Sequence, residues 1–138
     1  MTLKVGDKAP LFTIATQKDQ DFSLKDAAGE KVILYFYPKD NTPGCTQESC
    51  DFKDAFEAFA NLNVHIIGVS KDSVTSHEKF AKKYDLPFAL GADTDHNVLE
   101  AYGVWVEKKL YGRAYMGIER ATFLIDEQGK IEKNMATC

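Results

Sequence analysis

The stretch that most constrains this chain runs from Val32 to Cys45. Val32-Ile33-Leu34-Tyr35-Phe36-Tyr37 is apolar at every position, with no alternation of polar residues. A strand that reads this way is covered on both faces, as a central strand with parallel neighbours is. Pro38 breaks it. Thr42-Pro43 then opens a helix, a capping residue followed by a proline suited to the first helical position. Beyond this start Cys45, Phe52, Phe56 and Phe59 fall on one helical face. The pattern therefore predicts strand, loop and helix, with a thiol on the core-facing side of the helix N-terminus.

A thiol at that place is chemically biased. The unpaired backbone N–H groups and the positive end of the helix dipole favour the thiolate, which is the nucleophilic form. The bland reading of such a residue is a small buried hydrophobe. A second thiol, Cys50, and the framing residues Pro38 and Thr42 argue for sulfur chemistry instead. On a regular helix two residues five apart have Cα atoms about 8–9 Å apart and point about 140° apart around the axis. Disulfides rarely span more than about 7 Å between Cα atoms. A bond between Cys45 and Cys50 thus requires the first turns of the helix to unwind, so the spacing predicts a switch: helix intact when reduced, locally melted when oxidised.

Around this unit the chain alternates strands and helices. Phe12–Thr16 and Phe22–Leu24 suggest a small N-terminal hairpin, and Lys25–Gly29 a turn into the central strand. Val64–Val69 is a second buried strand, and with the helix between them the two make a parallel βαβ unit. His65, within it, reads as a satisfied core or edge histidine, since no second ligand lies at metal spacing. Ser73–Tyr84 is a helix and Phe88–Leu90 a short strand. Asp93-Thr94-Asp95-His96 precedes a helix ended by Gly103; the acidic pair could hold a cation, but N-capping is the better reading. Val104–Met116 reads only as a candidate edge hairpin. Ala121–Ile125 is a third core strand, and Lys130–Lys133 begins its return partner after the turn at Asp126–Gly129. This order predicts an α/β fold of thioredoxin-like type, a central mixed β-sheet flanked by helices.

Composition narrows the class. At 138 residues the chain is expected to form one domain, residues 1–138. A formal net charge of -4 leaves no basic footprint for nucleic acid. No apolar run approaches the length of a membrane span, and the first residues carry no signal-peptide core. The expected location is the cytoplasm, where three cysteines point to redox or metal chemistry rather than a disulfide framework.

Pro38-x-x-x-Thr42-x-x-Cys45 resembles the active-site signature of the peroxiredoxins. The longer string Asn41-Thr42-Pro43-Gly44-Cys45-Thr46-x-Glu48-x-Cys50-x-Phe52 is similar to the bacterioferritin comigratory protein (Q-type) subfamily, and the resemblance runs from about Val5 to Lys133. It implies a thioredoxin-like fold with an N-terminal hairpin extension. It also implies a thiol-dependent peroxidase that reduces hydrogen peroxide and organic hydroperoxides. Cys45 matches the peroxidatic nucleophile and Cys50 the resolving cysteine of part of the subfamily, giving an intramolecular disulfide. Thr42 would hydrogen-bond the peroxide and the thiolate, and Pro38 would shield the sulfur from water. Arg120, just before a core strand, would depress the thiol pKa and polarise the peroxide. Glu48 matches an acidic position, where it orients Arg120 or the loop, with a solvated surface residue as the competing reading. The implied reductant is thioredoxin, or a glutaredoxin-type donor; no metal or organic cofactor is needed. The implied assembly is a monomer or weak homodimer.

One departure stands out. The family usually continues into a long C-terminal helix, whereas this chain stops at Asn134-Met135-Ala136-Thr137-Cys138, so the fold is expected to be shortened there. Cys138 reads as an exposed bystander at a frayed terminus. Two other functions fit a reactive cysteine pair. A thiol–disulfide oxidoreductase acting on proteins is disfavoured by the absence of Cys-x-x-Cys. A redox sensor or holdase without turnover is distinguished by a recycling assay. A zinc site on Cys45, Cys50 and a histidine finds no supporting spacing.

Overall fold

In the computed structural model the described residues are 3–18 and 20–136, apart from some side chains within elements. The side chains of Cys45, Glu48 and Phe59, and the whole of Cys138, lie outside the described residues. In chain order the elements are β1 (Thr13–Ile14), β2 (Phe22–Ser23), a 3-10 turn (Leu24–Ala27), β3 (Lys31–Phe36), α1 (Pro43–Asn61), β4 (Val64–Ser70) and α2 (Val74–Tyr84). There follow β5 (Ala89–Ala92), α3 (Asn97–Ala101), β6 (Trp105–Leu110), β7 (Arg113–Ile118), β8 (Ala121–Ile125) and β9 (Ile131–Ala136).

Among the described residues, five strands form one sheet in the order β5-β4-β3-β8-β9. β3 is at its centre, parallel to β4 and antiparallel to β8, so the sheet is mixed. The all-apolar composition of β3 follows from this position. Val32, Leu34 and Phe36 enter one core, with Val69, Leu99 and Phe123. Ile33, Tyr35 and the next residue, Tyr37, enter the other, with Ile66, Phe80 and Phe88, and with Phe52 and Phe56 of α1 packed against it. Period-two alternation thus sends successive side chains into two separate cores rather than into core and solvent. One face of the sheet carries α1 and α2, and the other carries α3 and the N-terminal segment.

The local signals act as their chemistry dictates. Ser73 caps α2, its Oγ accepting the Ser76 N–H at 3.1 Å. Asp85, at φ 51°, closes that helix in the left-handed conformation, its N–H donating to the Ala81 carbonyl. Asp93 is a cap rather than half of a cation site: its Oδ2 accepts the Leu99 N–H inside α3 at 2.8 Å. The expected turn at Lys25–Gly29 is wound into the 3-10 turn. His65 is the satisfied edge histidine rather than a core one, since β5 pairs with β4 only from Ile67 onward. It stands exposed near the start of β4, with Nε2 2.7 Å from the Glu30 carboxylate.

The stretch least legible in the sequence is β6–β7. It is a hairpin, yet it does not extend the edge of the main sheet; among the described residues it pairs only with itself. Tyr111 and Gly112 form its tip, both at positive φ (51° and 78°), which is the geometry that matches a two-residue turn to strand twist. At its base the Glu119 N–H donates to the Val104 carbonyl, which leads the chain through Arg120 into β8.

Candidate active site

The site is built where β3 ends and α1 begins. Tyr37 closes the strand, its N–H donating to the Val69 carbonyl of β4 at 3.1 Å. Pro38 follows, half-buried. The loop then turns through Asn41, at φ 59°. Thr42 stands just before α1 and its carbonyl accepts the Thr46 N–H at 2.8 Å, which starts the helical ladder. Its hydroxyl donates to the Lys39 carbonyl at 3.0 Å. The hydroxyl proton is therefore engaged within the loop, and the oxygen's lone pairs are left to accept.

Cys45 is the third residue of α1, within the turn whose N–H groups have no helical partner. Arg120 comes to the same turn from the residue just before β8, the strand beside β3. Its guanidinium lies so close over Gly44 that a Cβ added there would sit 2.9 Å from Nη2. Gly44 directly precedes Cys45, so the fold brings a half-buried cation to the helix N-terminus beside the thiol-bearing residue. Two sources of positive potential, the helix end and the guanidinium, converge there.

Cys50 is not part of this cluster. It is half-buried in the body of α1 and is a free thiol. Both cysteines belong to one continuous helix, so their separation is the helical one, beyond disulfide range. Beneath Cys50 the helix is tied to the sheet. Ser49, fully buried, shares a 2.9 Å hydrogen bond with the Tyr35 hydroxyl, and the Tyr35 ring stacks on Phe52 with centroids 4.6 Å apart. Room for that ring comes from Gly68 of β4, where a Cβ would lie 2.5 Å from the Tyr35 ring.

A second set of residues, not identified from sequence, underlies the loop. Asp40 is buried, and its carboxylate accepts from the Tyr37 hydroxyl (2.5 Å) and the Ser76 hydroxyl (2.8 Å) and pairs with His77 Nδ1 (2.7 Å). Burial, with Tyr35 and Asp40 adding, pushes the Tyr37 phenol well above its ordinary range, so it stays a donor. The sequence signal for this set was slight: a loop aspartate, and a histidine whose helical spacing put it on the buried face of α2.

The fold and the thiol-bearing helix start define a thioredoxin-like protein of the thiol-redox class. The sequence profile of the AhpC/TSA family matches residues 5–134, and the chain belongs to that family. It is 53% identical to the putative peroxiredoxin bcp of Coxiella burnetii over 95% of this chain and 87% of that protein. It is 50% identical to peroxiredoxin Bcp of Bacillus subtilis over 96% and 85%. The crystal structure of a cysteine-to-serine mutant of Xylella fastidiosa PrxQ superposes with a TM-score of 0.93 at 33% identity, covering 100% of this chain and 88% of that one. The bacterioferritin comigratory protein of Xanthomonas campestris, whose structures address alkyl peroxide reduction, gives 0.87 at 36% identity over 92% and 81%. The protein is thus a thiol-dependent peroxidase whose oxidant is a hydroperoxide and whose electrons come from a thiol reductant. No helix among the described residues is long and apolar enough to cross a membrane.

Proposed function

We propose that Cys45 is the peroxidatic nucleophile, acting on hydrogen peroxide and organic hydroperoxides, and that Cys50 resolves the oxidised product. The observation that carries this reading is the Arg120 guanidinium lying against Gly44 at the first turn of α1. The cation and the helix end favour the Cys45 thiolate. The thiolate attacks the terminal oxygen of the peroxide; the sulfur–oxygen bond forms as the oxygen–oxygen bond breaks. Sulfur loses two electrons, and the leaving alkoxide or hydroxide takes up a proton and departs as alcohol or water. Arg120 and the backbone N–H groups stabilise the negative charge that develops on the departing oxygen. Thr42, with its proton committed to Lys39, is suited to accept the O–H of the incoming hydroperoxide. Pro38 covers the sulfur from bulk water. Glu48 orients Arg120 or the loop.

The Cys50 thiolate then attacks the Cys45 sulfenic acid, the S–S bond forms, and water leaves. The helical geometry supports the view that α1 must unwind for this, from its start to about Ser49. A dithiol of thioredoxin type returns the pair to thiols by exchange. Residues 1–138 are read as one peroxiredoxin domain, cytoplasmic, monomeric or weakly dimeric.

Intact-mass measurement after equimolar peroxide tests the assignment on reduced wild type, Cys45→Ser and Cys50→Ser side by side. Wild type should lose two hydrogens, Cys50→Ser should gain oxygen, and Cys45→Ser should stay unchanged. Cys45→Ser reacting as fast as wild type would overturn the reading.

A further inference from the structure

The loop that carries Pro38 and Thr42 is held by side chains rather than by backbone. Among the described residues, backbone–backbone hydrogen bonds reach it only at its ends, at the Tyr37 N–H and the Thr42 carbonyl. Between those ends the anchors come from α2 and the end of β4. Ser76 and His77 bind the Asp40 carboxylate, at 2.8 and 2.7 Å. The Tyr84 hydroxyl and Lys83 Nζ donate to Asn41 Oδ1, at 3.1 and 3.4 Å. The Asp40 N–H donates to Asp72 Oδ2 at 2.7 Å, and Ser70 Oγ holds that carboxylate at 2.8 Å.

His77 is the centre of this clamp. It is fully buried, and both of its ring nitrogens face acceptors: Nε2 the Gly91 carbonyl at 2.9 Å, Nδ1 the Asp40 carboxylate. A carbonyl oxygen only accepts, so Nε2 carries hydrogen; a further proton lies between Nδ1 and Asp40 Oδ2. The imidazole thereby joins the loop to β5 through two bonds of fixed direction. A buried pair of this kind is well suited to specifying one geometry, because each group loses its partner if the loop shifts.

We propose that Asp40 and His77 are positioning residues for the peroxidase reaction. They hold Pro38 and Thr42 in register with Cys45, and they keep the loop still while the first turns of α1 come apart beyond it. The unwinding needed for a Cys45–Cys50 disulfide then begins after Thr42, and the peroxide-binding side of the site survives each cycle. This inference rests on the reading of Cys45 as the nucleophile.

The test separates positioning from folding by comparing two reactions at one sulfur. In a Cys50→Ser background, Cys45 oxidation by hydrogen peroxide and its alkylation by iodoacetamide are both followed on the Cys45 peptide by mass spectrometry. Alkylation needs the thiolate but no geometry around an O–O bond, whereas a misplacement of about 1 Å can slow an oriented reaction up to about a hundredfold. Asp40→Ala and His77→Ala should lower the ratio of the two rate constants about tenfold or more. Asp40→Asn should restore most of it, because its amide N–H can donate to His77 Nδ1 while Nε2–H stays on Gly91. If the alanine variants do not fold, Ser76→Ala combined with Tyr84→Phe keeps the packing and removes one hydroxyl from each loop anchor; its ratio should fall about threefold. A wild-type ratio in folded Asp40→Ala or in the double variant overturns the clamp. If Cys45→Ser itself consumes peroxide at the wild-type rate, the nucleophile assignment fails instead, so the two failures are distinguishable.

Discussion

Replacing Gly44 by alanine should make the protein more stable and less reactive at once. Gly44 is the second residue of α1, is exposed, and is not in the left-handed region. Alanine there removes backbone entropy from the unfolded chain, worth about 0.5–1 kcal/mol in a helix interior and less in the first turn. A gain of about 0.5 kcal/mol raises the melting temperature by about 1–3 °C for a domain of this size. The new methyl, however, lands 2.9 Å from Arg120 Nη2, and the side-chain end is the part that can yield. It must retreat by about 0.5–1 Å to reach ordinary contact. At an effective dielectric of about 20, a cation moving from about 4 to about 5 Å from a unit anion loses about 0.8 kcal/mol, or about fourfold in rate. Stopped-flow oxidation, followed through the fluorescence of the only tryptophan, Trp105, gives the rate constant. Thermal unfolding of the same reduced sample gives the stability. Wild-type reactivity with raised stability would mean that the Arg120–Gly44 contact has no part in the chemistry. Lower stability would refute the helical account of Gly44.

Two other outcomes follow from the packing and the titrations. Gly68→Ala should destabilise the protein by about 1–3 kcal/mol, because its methyl would overlap the buried Tyr35 ring within the sheet; chemical denaturation measures it, and a neutral result would show that the ring has space to move. At alkaline pH the protein should weaken. Burial raises the Tyr37 and Tyr102 phenols above their unfolded value of 10.0, so the stability they confer is complete below that pH and is lost as pH rises through the folded values. Each contributes a slope of about 1.4 kcal/mol per pH unit above pH 10. Tyr102→Phe should remove one of the two contributions in urea titrations between pH 9 and 11, and an unchanged slope would contradict the assignment.

α1 is anchored on both sides of the segment that the proposed Cys45–Cys50 disulfide requires to open. The loop before the helix is bound to α2 through Asp40 and Asn41, and the helix beyond Cys45 is bound to the sheet through Ser49 and Phe52. Between them lie Pro43 to Glu48, a stretch containing Gly44 and starting with a proline that supplies no N–H. In the proposed cycle this is the segment that opens in each turnover. The conformational demand read from the five-residue spacing of the cysteines thus falls between the two anchors.

What the sequence determined by itself was whatever is encoded among near neighbours. The run Val32–Tyr37 announces a strand covered on both faces, and Ser73 announces the start of α2. The Pro38, Thr42 and Cys45 spacing announces a thiol at a helix N-terminus, because caps, periodicity and proline act over a few residues. One local reading was narrowed by the fold and one corrected. His65 is the exposed edge histidine paired with Glu30 rather than a core one, and the β6–β7 hairpin stands off the main sheet, since burial and sheet membership depend on partners the local pattern does not name. The encounters that make the site were decided by tertiary structure alone. Arg120 reaches Gly44 because β8 runs antiparallel beside β3 in a register that sets Ala121 opposite Phe36. Asp40 meets His77 across 37 residues because α2 packs on the same face of the sheet as α1. Such contacts carry no periodic trace; they exist only when strand register and helix packing have fixed both partners in space.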